Sequence, residues 1–286
     1  MWNGRSTTLC GLATLVAAVL CGPAHATERQ IAFEDAWNLK AGGGWIAWDG
    51  IYDEDIIVQY LQPADGDSGI NGDRYLHSLG TDRDGRPTGL FTACSGAGGA
   101  GSCKLRRRDL RSWRARTILT EPNGLRITGY DEAHGRLAVG LGGGFGRGIY
   151  VRRPGGGLRR ISTARPGRIA RSRRVLVNAV ATRGTRRIQG IDLGRPARRV
   201  TLATGSYADT KDATAAGRYV YWLEARRRIM RADMTATDPA IEFHVPKRRP
   251  TSFAVDGHRL FYARDSGGVY EVRGAYWERQ PEPAGR

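Results

Sequence analysis

Histidine, cysteine and lysine are scarce in this 286-residue chain, and each scarcity removes a class of function. The five histidines are dispersed: His134, His244 and His258 have no metal-ligand spacing, and residues 27–67 contain none. That weakens the GDSG tetrad at residues 66–69, which surrounds the nucleophile in chymotrypsin-type proteases. Ser68 lacks the upstream base those enzymes use, and His77 follows nine residues later with no third group to orient it. Of four cysteines, Cys10 and Cys21 precede residue 27, while Cys94 and Cys103 lack a nearby histidine to complete a zinc site. Four lysines stand against 41 arginines, an imbalance that a GC-rich genome produces without selection for a function.

Helical periodicity is also missing. No stretch sustains an apolar period of 3.6 residues, so long amphipathic helices are not expected. The apolar run Leu9–Leu20 is twelve residues, about 18 Å of helix against roughly 30 Å of hydrocarbon, too short to span a membrane. With Arg5 before it and Ala24-His25-Ala26 after it, the run has the form of a secretory signal peptide, residues 1–26, cleaved after Ala26. Lipidation at Cys21 is disfavoured because Leu20 stands where such sites want a small residue. The reading is an exported protein, secreted or held in the cell envelope, with one domain over residues 27–286 and no transmembrane segment after cleavage.

What the chain has in plenty is glycine, 40 residues, distributed between short apolar segments as turn residues are. The segments recur. Arg136-Leu-Ala-Val, Arg174-Val-Leu-Val, Arg218-Tyr-Val-Tyr and Arg259-Leu-Phe-Tyr begin 38, 44 and 41 residues apart. Each is preceded by one strand-like segment (LRITGYD, GRIARS, DATAAG, TSFAVDG) and followed by another (GIYVRR, RRIQGIDL, RIMRADM, GVYEVRG). A further one closes the first three units: LRRIST, RVTLATG and IEFHVP. Four short strands every 40 or so residues mark a β-propeller blade. Two upstream units, one around GLFTAC and CKLRRRDL and one around GGWIAW and DIIVQYL, bring the count to six. The expected fold is all-β: a six-bladed propeller of four-stranded antiparallel sheets. The blades fall near residues 35–73, 74–122, 123–164, 165–206, 207–247 and 248–286. The first blade lacks a clear outer strand, and either Gln30–Phe33 or residues 275–280 (AYWERQ) can close the ring.

Cys94 and Cys103 flank SGAGGAGS, with strand-like segments on both sides. In an oxidising compartment they are expected to bond across the mouth of this hairpin. Together with LGTDRDGR (residues 79–86), the cysteine hairpin resembles the secreted TolB-type propellers of GC-rich actinobacteria. That resemblance implies a six-bladed ring, usually without a known enzymatic activity. The chain departs from it in the acidic segment 62–73 and in its arginine-heavy later blades.

Within the acidic segment, ADGDSGINGD (64–73) matches a blade-loop calcium motif at Asp65, Asp67 and Asp73, but Gly69 and Ile70 occupy positions where such a loop wants an oxygen ligand and a turn glycine. The reading favoured is a polar turn, with calcium left open as the one cofactor the sequence suggests. Gly142–Gly146 (GGGFG) lacks the GK[ST] of a phosphate loop and runs into a strand, so it reads as a hairpin loop.

Charge is segregated: residues 27–100 hold 12 acidic and 5 basic side chains, and residues 101–286 hold 16 and 39. Basic segments recur at 104–116, 152–160, 168–174, 183–187, 195–199 and 247–249. The densest supplies the expected anion-contact set: Arg106, Arg107, Arg108, Arg111, Arg114 and Arg116, with Trp113 for stacking. The function expected is therefore non-enzymatic binding of an anionic extracellular partner, whether cell-wall polymer, polysaccharide or acidic protein. Export and the lack of a nucleic-acid fold motif count against nucleic acid. The alternative is a propeller enzyme, such as a lactonase, lyase or glycan-cleaving enzyme, whose site would need acids or histidines from several blades converging at one channel mouth.

Overall fold

In the computed structural model the described residues are 27–33, 35–52, 56–66, 69–70, 75–95, 101–152, 156–206, 210–235, 241–244, 246–247, 249–264 and 266–273. Among them the chain forms 24 strands and no helix, hence none that could cross a membrane. After β1 (Thr27–Ala32), the first sheet holds β2 (Trp37–Gly42), β3 (Trp45–Tyr52), β4 (Ile56–Pro63) and β5 (Gly69–Ile70). The second holds β6 (Ser78–Thr81), β7 (Pro87–Cys94), β8 (Cys103–Asp109) and β9 (Ala115–Thr120). The third holds β10 (Arg126–Ala133), β11 (Arg136–Gly142), β12 (Gly148–Arg152) and β13 (Leu158–Ser162). The fourth holds β14 (Arg168–Arg171), β15 (Val175–Thr182), β16 (Thr185–Asp192) and β17 (Arg199–Ser206). The fifth holds β18 (Thr210–Ala216), β19 (Tyr219–Glu224), β20 (Arg228–Asp233) and β21 (Ile241–His244). The sixth joins β22 (Pro250–Asp256), β23 (Arg259–Arg264) and β24 (Val269–Arg273) to β1. All pairings are antiparallel, and the fold is a six-bladed β-propeller.

The apolar residues explain the ring. They fall into six clusters, each packed between neighbouring blades, as Leu39, Ile46 and Trp48 of the first blade meet Phe261 and Ala263 of the sixth. A second strand faces such clusters on both sides, which is why β19 and β23 carry large apolar groups on successive residues and bury all four central ones. Near the axis the blades converge, and side chains there must shrink. A Cβ on Gly42 would stand 2.2 Å from the Leu79 carbonyl oxygen, so glycine is what lets β2 approach β6.

Two features were hidden by shortness or left open. The outer strand of the first blade is the two-residue β5, pairing Ile70 with Tyr60 and Gly69 with Leu61. Part of ADGDSGINGD is thus sheet and not only turn; Asp67, Ser68 and Asp73 lie outside the described residues. Ring closure uses the N-terminal strand: β1 pairs with β24 from Thr27↔Arg273 to Ala32↔Val269. Residues 1–26 and 275–280 lie outside the described residues.

Candidate functional site

Every blade sends its innermost strand (β2, β6, β10, β14, β18, β22) to a shared axis, and together they wall a channel of about 290 Å³. These strands run the same way, so the channel has a leading mouth, where they begin, and a trailing mouth, where they end.

At the leading mouth, charges from four blades meet. Lys40 Nζ donates to the Asn38 carbonyl at 2.8 Å and lies 3.5 Å from Asp49 Oδ1. Asp49 also accepts from Asn38 Nδ2 (2.9 Å) and from Gln59 Nε2 (3.2 Å). Gln59 is buried and clamps both polar groups of Leu76, fixing the segment that presents His77. Arg168 pairs with Asp212 at 2.8 Å. Burial pushes the Lys40 ammonium down to about 8, with Asp49 opposing and Arg168 assisting. The His77 imidazole is lowered too, by burial first and then by Lys40 and Arg168 against Asp49.

Deeper in, Asp131 is enclosed. Its carboxylate accepts from the Arg171 amide (2.5 Å), the Glu132 amide (2.9 Å) and the Ser78 hydroxyl, tying three blades together. Burial pushes its pKa up to about 6. The neighbouring Glu132, also raised by burial, forms a bidentate pair with Arg107.

Beside the trailing mouth lies a groove of about 1370 Å³ spanning the second, third and fourth blades. Among the described residues its wall includes Arg83, Arg136, Arg152, Arg159, Arg171, Arg173 and Arg174, and no Asp or Glu. The hairpin turns of these blades put them there: Arg83 in the β6–β7 turn, Arg136 after the His134–Gly135 turn, Arg173 and Arg174 in the β14–β15 turn. Among the described residues, the side chains of Arg83, Arg136, Arg159, Arg173 and Arg174 have no hydrogen-bonding or ion-pair partner. Arg152 gives one bond to the Ile118 carbonyl, and its Nε is buried without a partner.

The expected anion set does not form one surface. Arg106 donates to the Ala115 carbonyl at 3.1 Å, and Arg107 is committed to Glu132. Arg108 is 5% exposed, stacked over Phe91 and Trp113. Only Arg111, Trp113, Arg114 and Arg116 face water, around the β8–β9 turn. The reason is that β8 is a third strand between neighbouring blades, so its arginines meet ring faces and the carboxylate of the next blade. Asp65 is likewise engaged: both oxygens sit 3.0 Å from the Arg259 guanidinium across the sixth-to-first blade junction. Among the described residues no three His, Cys, Asp or Glu side chains are close enough to hold a metal. Asp82 caps its own turn, accepting from the Asp84 and Arg86 amides at 2.9 Å. Cys94 and Cys103 are direct cross-strand partners and form a disulfide.

No protein-family model matches the chain, and no curated protein matches it in sequence. Solved structures match its shape. Acylaminoacyl peptidase of Pyrococcus horikoshii shares 11% identity at a TM-score of 0.53, over 85% of this chain and 52% of that one. TolB of Acinetobacter baumannii shares 11% identity at 0.51, over 81% and 64%. The PQQ-bound aldose sugar dehydrogenase of Streptomyces coelicolor shares 14% identity at 0.52, over 88% and 99%. The chain thus spans between half and two thirds of the peptidase and of TolB, and nearly all of the dehydrogenase. At these identities the likeness is one of fold: a TolB-like propeller.

Proposed function

We propose that the chain is a binding propeller with no chemical step of its own. It holds anionic partners (wall polymer, acidic polysaccharide or acidic protein) in the arginine groove beside its trailing mouth. The observation that carries this reading is the groove's one-sided chemistry: among the described residues its wall holds seven arginines and no carboxylate, and five of the guanidiniums have no partner. Packed cations repel one another, and an isolated protein normally relieves that by interleaving acids; a wall without them favours an anion from outside. The formal charge, +17 for the whole sequence and +16 for residues 27–286, adds attraction within a Debye length of about 8 Å at physiological salt. Export agrees with the form of residues 1–26 and with the disulfide, and on that reading cleavage after Ala26 leaves Thr27, the first residue of the closing strand, as the new terminus.

Retention on an anionic polysaccharide resin tests the reading. Wild type and a R111Q/R114Q/R116Q variant elute late and together, whereas R136Q/R159Q/R173Q/R174Q elutes at markedly lower salt. Equal elution of all three would reject the groove.

A second reading, an enzyme at the leading mouth, is favoured by the convergence of Lys40, His77, Asp49, Arg168 and Asp212 there. Against it, each carboxylate is committed to a cation and so is poorly placed for acid–base work. Release of reducing ends or unsaturated products from acidic glycans by the pure protein would replace the binding reading with this one.

A further inference from the structure

The arginines of the groove are brought together by contacts that run across three blades. Arg83 of the second blade lies against Gly135 of the third: a Cβ there would stand 2.5 Å from Arg83 Cγ. Arg136 follows directly, and Arg171 of the fourth blade donates Nη1 to the next carbonyl, that of Leu137, at 3.3 Å. Arg173 and Arg174 continue from Arg171, and the Leu193 amide donates to the Arg174 carbonyl at 2.8 Å. Arg171 is buried as a brace between blades, whereas Arg83, Arg136, Arg159, Arg173 and Arg174 are exposed.

The side chains of this wall give hydrogen bonds and hardly accept them. A guanidinium carries five N–H donors and no acceptor. Besides arginine and glycine, the described residues of the wall are His134, with at most one acceptor nitrogen, and the apolar Val151 and Leu193. Among the described residues the wall has no hydroxyl, amide or carboxylate, and no phenyl, phenol or indole ring.

Such a wall selects among polyanions. A uronate polymer brings sugar hydroxyls and an acidic peptide brings amide N–H groups; a donor pressed against donors is left unpaired, which costs affinity. A nucleic acid strand brings bases that bind best on aromatic platforms. A phosphate chain brings oxygen acceptors and negative charge alone, and guanidinium forks match its oxygens in pairs. At about 1370 Å³ the groove exceeds the roughly 300–1,000 Å³ of small-ligand sites, which favours a chain over a single ion.

We propose that the groove binds a linear phosphate polymer, laid across the second, third and fourth blades with its oxygens on Arg83, Arg136, Arg159, Arg173 and Arg174. Resting on the arginine groove as the anion site, this narrows the partner to one chemistry.

Competition against a fluorescent polyphosphate bound to the full chain tests it. Inorganic polyphosphate, polyacrylate, polygalacturonate, polyglutamate and oligothymidylate are compared at equal charge number. Polyacrylate carries carboxylates and no donor, so it separates the cost of unpaired donors from the identity of the acid. Polyphosphate and polyacrylate are expected to bind alike, and the other three at least about tenfold more weakly, a difference of roughly 1.4 kcal/mol. Charge density alone also favours polyphosphate, but salt screens that advantage and does not relieve an unpaired donor, so the preference should persist at high salt. Orthophosphate at equal phosphate concentration should not compete. R136Q/R159Q/R173Q/R174Q, which removes charge and adds amide acceptors, should lose the preference; R111Q/R114Q/R116Q should keep it.

The phosphate chain is overturned if any of the three weaker polymers matches polyphosphate, if polyacrylate groups with them, if the preference vanishes with salt, or if orthophosphate competes equally. In each of those cases, weaker polygalacturonate binding by the groove variant than by wild type would still leave the groove as an anion site. Unchanged binding of every polymer in that variant would reject the groove and the phosphate chain together.

Discussion

Gly80 of the second blade lies directly against the backbone carbonyl of Glu132 in the third: a Cβ added to Gly80 would stand 2.2 Å from that oxygen. The contact joins the inner strands β6 and β10, and Glu132 in turn holds Arg107 of the second blade. Backbone on both sides leaves nothing flexible to yield. Gly80→Ala is therefore expected to cost at least about 1–3 kcal/mol, as overpacking does. Gly157→Ala is the control, since nothing lies within 4 Å of its Cβ position. Urea denaturation reads both; equal stabilities would mean that the blades do not meet as described.

Asp131 gives the ring a pH dependence of unusual sign for a carboxylate. Burial raises its pKa from 3.8 to about 6, so the folded state binds its proton more tightly than the unfolded state does. The resulting stabilisation is complete below about pH 4 and is lost as pH rises through about 6. Glu132, also raised by burial, acts in the same direction. Asp131→Asn removes the titration. The stability difference between variant and wild type is expected to shift toward the variant from pH 4 to 6 and then to level off. A difference that stays flat over that range would mean Asp131 is solvated.

Closure of the ring by β1 makes its own prediction. Glu28, buried in that strand, lies 3.3 Å from Arg264 and 3.4 Å from His244. Glu28→Ala leaves Arg264 without that acid, and breaking a buried pair typically costs about 3–5 kcal/mol. Deleting residues 27–33 goes further by baring the β24 edge, and aggregation is expected on light scattering. A deletion that stays monomeric with wild-type stability would show that another segment closes the ring.

The blade repeat was legible because the second strands are sealed on both faces, so Arg136, Arg174, Arg218 and Arg259 each open an apolar run that survives loop variation. β5 was not legible, since two residues carry no period. Segments 152–160 and 168–174, which contribute to the groove, are visibly basic in the sequence, but 104–116 is denser, and density along the chain ignores what lies opposite. Arg107 faces Glu132, 25 residues away, and Arg108 faces Phe91; those partners exist only once blades are stacked. Lys40 and His77 had no local motif to mark them. Only the closed ring brings them beside Arg168, in another blade.

The groove is the central claim, and the salt dependence of binding to a labelled acidic polysaccharide tests it most directly. A titration series from low to physiological salt is expected to show affinity falling steeply for wild type. It should fall much less steeply for R136Q/R159Q/R173Q/R174Q, with the two converging at high salt as screening removes the advantage. Parallel curves of equal affinity would contradict the account, because they would place the anion elsewhere on the ring.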